Sequence, residues 1–564
     1  MQFKDFQYVR PEYEKIKVQY TELLNKFNDS KSANEQYLYL QKINELQKEI
    51  DTMAQLVAVR NSINTADEFY DKENEYIDMT MPKFRGLRVE FYKALLNSKF
   101  KEELKEKVMP QLFTIAEMEI KAFSDEVIPL MQEENKLISE YSKLISSAEI
   151  NFDGKVLNLS QMQPYMESKD RCVRKEAYEK WSNFFKENEE KFDIIYDRLV
   201  KIRNEIAVTL GFENFVELGY LRMGRSDYNK NDVKKFRDHV LNYIVPLSND
   251  LRSKQAKRIN ADDFKYYDIP LNFMTGNPTP KGNKSWIMER TKKMYEELSP
   301  ETGEFINLMI DMDLFDLETK PNKQAGGYCT VLYKYKVPFI FANFNGTQDD
   351  VTVVTHEAGH AFQTYQSRNW DAPEYSFPTS EACEIHSMGM EFITWPWMEL
   401  FFENDTEKFK YYHLADSLNF IPYGVTVDEF QHVVYENPNM TPDERKTAWR
   451  NIEKKYTPYK DYGDNEFLDK GTLWFKQGHI FFGPFYYIDY TLAQICAYQY
   501  WIKFNKDRKM AWDDYNNICK IGGSQSFLEI VKSGNLQSPF EEKTIKSVSS
   551  HIKEYLDNID DSKL

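Results

Sequence analysis

Apolar residues recur at three- and four-residue steps through the first 180 positions of the chain. Leu38, Leu40, Ile43, Leu46 and Ile50, followed by Met53, Leu56 and Val57, trace one such stripe, and charged residues fill the gaps. Pro and Gly are rare in this stretch. The pattern predicts amphipathic helices packed on one another. Clean a/d heptads are not sustained, so a helical bundle is expected and not a coiled coil. Asn151-Phe152-Asp153-Gly154 reads as a turn. More helix follows over Ser168 to Asn188 and over Phe192 to Leu210, the latter ended by Gly211.

The helical pattern then gives way twice. Residues 268 to 283 are dense in Pro, Gly and Asn, which predicts a long loop, either an inert connection or the rim of a cleft. Residues 326 to 345 are the only convincing strand region. Gly326-Gly327 opens it, Tyr328 to Tyr333 and Pro338 to Phe344 are β-branched and aromatic, and Lys334-Tyr335-Lys336 turns between them. A small sheet here is either a structural hairpin or an edge that offers backbone N–H and C=O groups to an extended peptide.

Helical period returns directly after the strands. Thr347 is the expected N-cap of a helix running to about 368, with Asp349 and Asp350 at its positive end. This helix carries His356-Glu357-Ala358-Gly359-His360. Two histidines four apart project from one face and can grip one metal ion, and Glu357 can reach a water beside it. The plain alternative is a helix with two solvated or core histidines.

A catalytic zinc site needs a third protein ligand. Gln363 and Gln366 stand where a three-histidine site would continue, so that type is excluded. A second helix, over about 380 to 403, offers Glu381, Glu384, His386 and Glu391. Glu384, Ser387, Met388 and Glu391 share a face, and His386 lies about 200° from Glu384. Glu384 is therefore the preferred ligand. Glu391 is placed as the acceptor of a ligand imidazole N–H. Pro396 should interrupt this helix beyond the site.

Composition narrows the class. The chain has 564 residues, 41% of them hydrophobic and 15% aromatic, which is ample for a large globular core. A net charge of −17 argues against a general nucleic-acid or anionic-membrane binder. Five scattered cysteines with no CxxC pair fit free thiols in a reducing compartment. The first residues show no basic segment followed by an apolar run, and no stretch approaches about 18 uninterrupted apolar residues. The cytosol is the expected location.

His356-Glu357-Ala358-Gly359-His360, with Glu384-x-x-Ser387-Met388-x-x-Glu391 beginning 24 residues after the second His, resembles the thimet oligopeptidase and oligoendopeptidase F family of zinc peptidases. Ser380 to Met388, Gly326 to Cys329 and Gly276-Asn277-Pro278 are similar to its bacterial oligoendopeptidase F, or Pz-peptidase, branch. The resemblance implies a mainly α, two-lobed, zincin-type protein with a deep substrate channel and one small β-sheet beside the zinc helix. An N-terminal helical lobe over 1–180 and a catalytic helical lobe over 181–564 are expected. The resemblance also implies a cytosolic endopeptidase with one zinc ion per chain, acting on short peptides. In the segment from Gly478 to Tyr490 it places His479, Tyr486 and Tyr490 as candidate donors to the oxyanion.

The expected chemistry is hydrolysis at a zinc held by His356, His360 and Glu384, with Glu357 as general base and then acid. Gly326, Gly327, Tyr328, Ala342 and Phe344 are the expected substrate contacts. Three rivals stand beside this reading. A carboxypeptidase or dipeptidyl-carboxypeptidase would need a basic residue for the free C-terminal carboxylate. A silent peptide-binding protein is disfavoured by the intact Glu357. A helical scaffold with chance histidines would bind no zinc.

Overall fold

The three- and four-residue stripes of the N-terminal region fold into long helices over Tyr13–Asp29, Ala33–Ile63 and Glu68–Leu96 in a computed structural model that describes residues 1–564. The second and third of these helices start on side-chain caps. Ser32 Oγ accepts the Glu35 N–H at 3.2 Å, and Asp67 Oδ1 accepts those of Phe69 and Tyr70 at 3.0 and 3.2 Å. Leu40, Ile43, Leu46 and Ile50 pack with Tyr20, Phe27, Phe84, Phe91 and Leu112 into a core belonging to this region. Leu38, counted in the stripe, is instead 47% exposed, because the buried face runs through Leu40 two residues on.

A second, larger core runs from Phe6 to Leu556 and so ties the beginning of the chain to its end. The two cores meet behind the segment that follows the first site helix. There Ala372 and Tyr375 enter the N-terminal core, the Arg88 guanidinium pairs with Glu374, and the Tyr375 hydroxyl donates to the Met109 carbonyl at 2.8 Å.

Two small sheets interrupt the helices. Strands β1 (Ile150–Phe152) and β2 (Lys155–Leu157) form a hairpin across Asp153 and Gly154, both at positive φ. The sequence shows the turn, but strands of three residues carry too little alternation to be read. The second sheet contains β3 (Phe315–Glu318), β4 (Tyr328–Leu332) and β5 (Val337–Phe344) in the order β3-β5-β4. β4 and β5 are the antiparallel pair expected around Lys334-Tyr335-Lys336. β3 is an added parallel partner from outside the predicted region.

The two site helices span Asp349–Ser367 and Ser380–Ile393. Thr347 does not cap the first, because its hydroxyl is committed to Asn345 Oδ1 at 2.8 Å. The Asp350 carboxylate ties down the entry instead, accepting the N–H groups of Asn345 and Gly346 at 2.8 and 2.9 Å. The second helix stops at Ile393, well short of 403. Pro396 cannot continue the hydrogen-bond ladder, and Trp395–Trp397 forms a 3-10 turn. At Gly359 the two helices cross backbone against backbone. A Cβ there would lie 2.5 Å from the His386 carbonyl oxygen and 2.6 Å from Ser387 Cα. No helix is long and apolar enough to cross a membrane.

Candidate metal centre

The crossing at Gly359 sets Glu384 against both histidines. Its Oε2 lies 3.2 Å from His356 Nε2 and 3.4 Å from His360 Nε2, and one ligand atom from each of the three residues falls within 4.8 Å of the others. His360 and Glu384 are buried. Two imidazoles and one carboxylate converging on one point are a donor set that zinc takes, with a position left for water. Two further donors hold Glu384 in place: Ser387 Oγ to Oε2 at 2.7 Å, and the Tyr486 hydroxyl to Oε1 at 2.6 Å.

Glu391 stands behind His356, at 2.7 Å from its Nδ1. Its other oxygen lies 2.7 Å from His413 Nε2, and the Trp395 indole N–H donates to His413 Nδ1 at 3.1 Å. An indole only donates, so His413 Nδ1 accepts and its Nε2–H points at Glu391. Glu391 thus receives two N–H groups. His356 keeps a proton on Nδ1 and turns its Nε2 toward Glu384 and the metal position. His413 and Trp395 were missed in the sequence because His413 comes from the helix Thr406–Glu436 and Trp395 from the 3-10 turn beyond the second site helix, and only the tertiary fold brings His413 to Glu391.

Glu357 is 5% exposed, and burial raises its pKa against the lowering effect of His356 and His360. One of its oxygens has no partner. A Cβ on Gly327 would come within 3.1 Å of the other, so the glycine leaves room for this carboxylate beneath the sheet.

His479, Tyr486 and Tyr490 form the opposite wall. The Tyr423 hydroxyl donates to Gln477 Oε1 at 2.9 Å, and Gln477 Nε2 donates to His479 Nδ1 at 2.9 Å. His479 Nε2–H therefore donates to the Tyr490 oxygen, 3.1 Å away, and leaves the Tyr490 hydroxyl hydrogen free. Burial pushes His479 down to about 4, so the ring is neutral at neutral pH. The Tyr486 and Tyr490 rings stack at 5.1 Å. His356, Glu391, His479 and Tyr490 all line one cavity of about 320 Å³.

The remaining sequence candidates separate. Glu381 is fully buried away from the ligands, with Arg225 and Asp489 as its charged neighbours. His386 is fully buried and held neutral, its pKa pushed to about 3 by burial. Gly326, at φ +93°, and Gly327 lie where β4 begins, at the edge of the sheet. The Tyr328 side chain turns away to stack on Phe341 and meet Ser62 Oγ at 2.6 Å. Ala342 and Phe344 belong to β5, the central strand, whose two edges are taken by β3 and β4. The Phe344 carbonyl accepts from Thr319 N and that of Ala342 from Lys323 Nζ, so neither offers a free edge to a peptide. The edge strands are β3 and β4, and Gly326-Gly327 leads into β4.

Known proteins resemble the chain over its whole length. The model of Peptidase family M3 matches residues 164–275 and 301–550, and that of the Peptidase M3 N-terminal domain matches residues 3–123. The solved structure of Pz peptidase A with inhibitor 2 is 53% identical, covers 100% of both chains and superposes with a TM-score of 0.99. Oligopeptidase PepF of Bacillus subtilis is 22% identical over 80% of this chain and 70% of its own. An oligoendopeptidase F homolog of Borreliella burgdorferi is 25% identical over 70% of this chain and 69% of its own.

Proposed function

The chain belongs to peptidase family M3 and is a metalloendopeptidase, and from that premise we propose that it is a zinc enzyme hydrolysing internal bonds of short oligopeptides. The observation that carries this reading is the convergence of His356, His360 and Glu384 beside the buried Glu357. Bound zinc supplies a Lewis acid that lowers the pKa of water toward about 7 and polarises the scissile carbonyl.

The chain's own groups do the rest. Glu357 takes a proton from the attacking water and returns it to the leaving amine, a role suited to a carboxylate whose pKa burial has raised. Tyr490, with its hydrogen free, donates to the oxyanion, and neutral His479 orients it. Tyr486 is bonded to Glu384 and acts on the ligand. The β4 edge with Gly326 and Gly327 holds the substrate extended. The N-terminal helices are taken as a lobe that limits access to short peptides. Five free cysteines support the cytosol as the place of action.

The test pairs metal analysis with turnover. Protein prepared without chelator should carry one zinc per chain and lose activity on its removal. Stoichiometric activity in metal-free protein would refute the reading.

A further inference from the structure

The cavity beside the metal centre continues beyond it. Asp349, Tyr412, Asp416 and Phe420 line both this cavity and a second one of about 450 Å³. The second cavity also reaches Arg252, Asn419, Lys460 and Lys476. Separate elements bring them together. Helix Val245–Arg258 carries Arg252, helix Thr406–Glu436 carries Asn419, and the 3-10 turn Leu473–Lys476 ends on Lys476.

Arg252 and Lys476 are the cations of this region without an ion pair. Arg252 is only 6% exposed, yet it has no carboxylate partner. Its one bond runs from Nη1 to Gln255 Oε1 at 2.6 Å, and its Nε is buried without an acceptor. Buried guanidinium groups are otherwise paired, since an unpaired charge in a low dielectric is costly. Lys476 has no ion pair either. Its side chain is exposed, with the aromatic rings of Tyr423 and Trp181 5.5 and 6.0 Å from its Nζ. The Asn419 Oδ1 is occupied by Ser248 Oγ at 2.7 Å, which leaves the amide N–H groups to the cavity. Lys460 is already bound to Glu453 at 3.1 Å. The acids of this cavity, Glu167, Asp349 and Asp416, form no ion pair with Arg252 or Lys476, although Asp416 stands close enough to feel the Arg252 charge.

We propose that this end of the cavity binds a carboxylate of the peptide substrate, with Arg252 and Lys476 as charged donors and Asn419 as a neutral one. The inference rests on the peptidase reading, because a peptide laid across the metal centre is what brings a carboxylate here. Guanidinium, ammonium and amide N–H groups are the donors a carboxylate takes. Held in the second cavity, the carboxylate sets how many residues lie between the cut and the anchoring point. It is either the free C-terminus or an Asp or Glu side chain.

Four matched peptides test this by kcat/KM. Two differ only in a C-terminal acid or amide, and two amidated ones differ only in an interior Asp or Asn. The expected result is a preference of roughly tenfold or more for the acid in one pair, expressed in KM, which also identifies the source. Lys476→Met and Arg252→Gln should each bring that ratio toward one. Lys476 makes no hydrogen bond in the fold, so its variant remains informative even where the Arg252 variant fails to fold. Equal rates within both wild-type pairs would overturn the proposal and leave the endopeptidase reading standing. No cleavage of any of the four would count against the endopeptidase reading and remove this inference with it.

Discussion

Glu357 and Glu391 are both buried carboxylates within a few ångströms of the histidines, yet their surroundings give them different work. Glu391 receives N–H groups from His356 and His413 and is held below the ordinary carboxylate range despite its burial. Glu357 has an oxygen without a partner and a raised pKa. Glu357→Gln should therefore keep metal stoichiometry while kcat falls by about 10²–10⁴; retained turnover would sink the proton-transfer role. Glu391→Gln replaces an oxygen that accepts from His413 with an amide group that only donates. Metal affinity should fall about 10- to 100-fold, as measured by competition with a chromophoric chelator. The residues legible in the sequence are those fixed by helical period within one or two helices: His356, His360, Glu357, Glu384 and Glu391. His413 and Trp395 depend on a third helix and a turn arriving beneath them, and no spacing encodes that. The central position of Ala342 and Phe344 in the sheet has the same origin. Strand propensity shows where a strand lies, but strand order is set by β3, thirteen residues before β4 begins by chain number.

At the scale of elements, the crossing of the two site helices depends on Gly359. Gly359→Ala would drive a Cβ into the His386 carbonyl and the Ser387 backbone, neither of which can rotate away. Overpacking of this kind costs about 1–3 kcal/mol, so thermal unfolding should show a clearly lowered Tm and metal binding should weaken with it. A second joint lies under the opposite wall. Glu134, on helix Ile128–Ser146, accepts from Arg203 Nε at 2.7 Å and Arg222 Nη1 at 2.9 Å. Arg203 also donates to the Phe481 carbonyl, in the short helix that carries His479. Burial would raise the Glu134 pKa, but the Arg222 and Arg203 charges outweigh it and bring it from 4.5 to about 2. A folded-state pKa below the unfolded one means stability that is full above about 4.5 and lost as the pH falls through about 2. Glu134→Gln should cost about 3–5 kcal/mol at pH 7, and the gap to wild type in urea midpoints should narrow on acidification over that range. A gap independent of pH would contradict this. Long helices such as Ala33–Ile63 were legible because many turns repeat one pattern. The three-residue strands of the β1–β2 hairpin and the four-residue β3 repeat nothing.

Across the whole molecule, a chain of net charge −17 carries Arg252 and Lys476, neither in an ion pair, in a cavity that shares lining residues with the one beside the metal centre. Removal of zinc should lower the Tm of the entire chain in a way that added zinc restores. An ion bound only by the folded state stabilises it by mass action, and the two site helices belong to the large core running from Phe6 to Leu556. The central claim is that one zinc centre cuts internal bonds of short peptides. Mass-spectrometric mapping of cuts in a series of peptides of increasing length, blocked at both ends, tests it most directly. Internal cuts are expected in the short members, abolished by Glu357→Gln and falling away as length increases. Cleavage confined to residues released from unblocked ends, with the blocked series left intact, would contradict it.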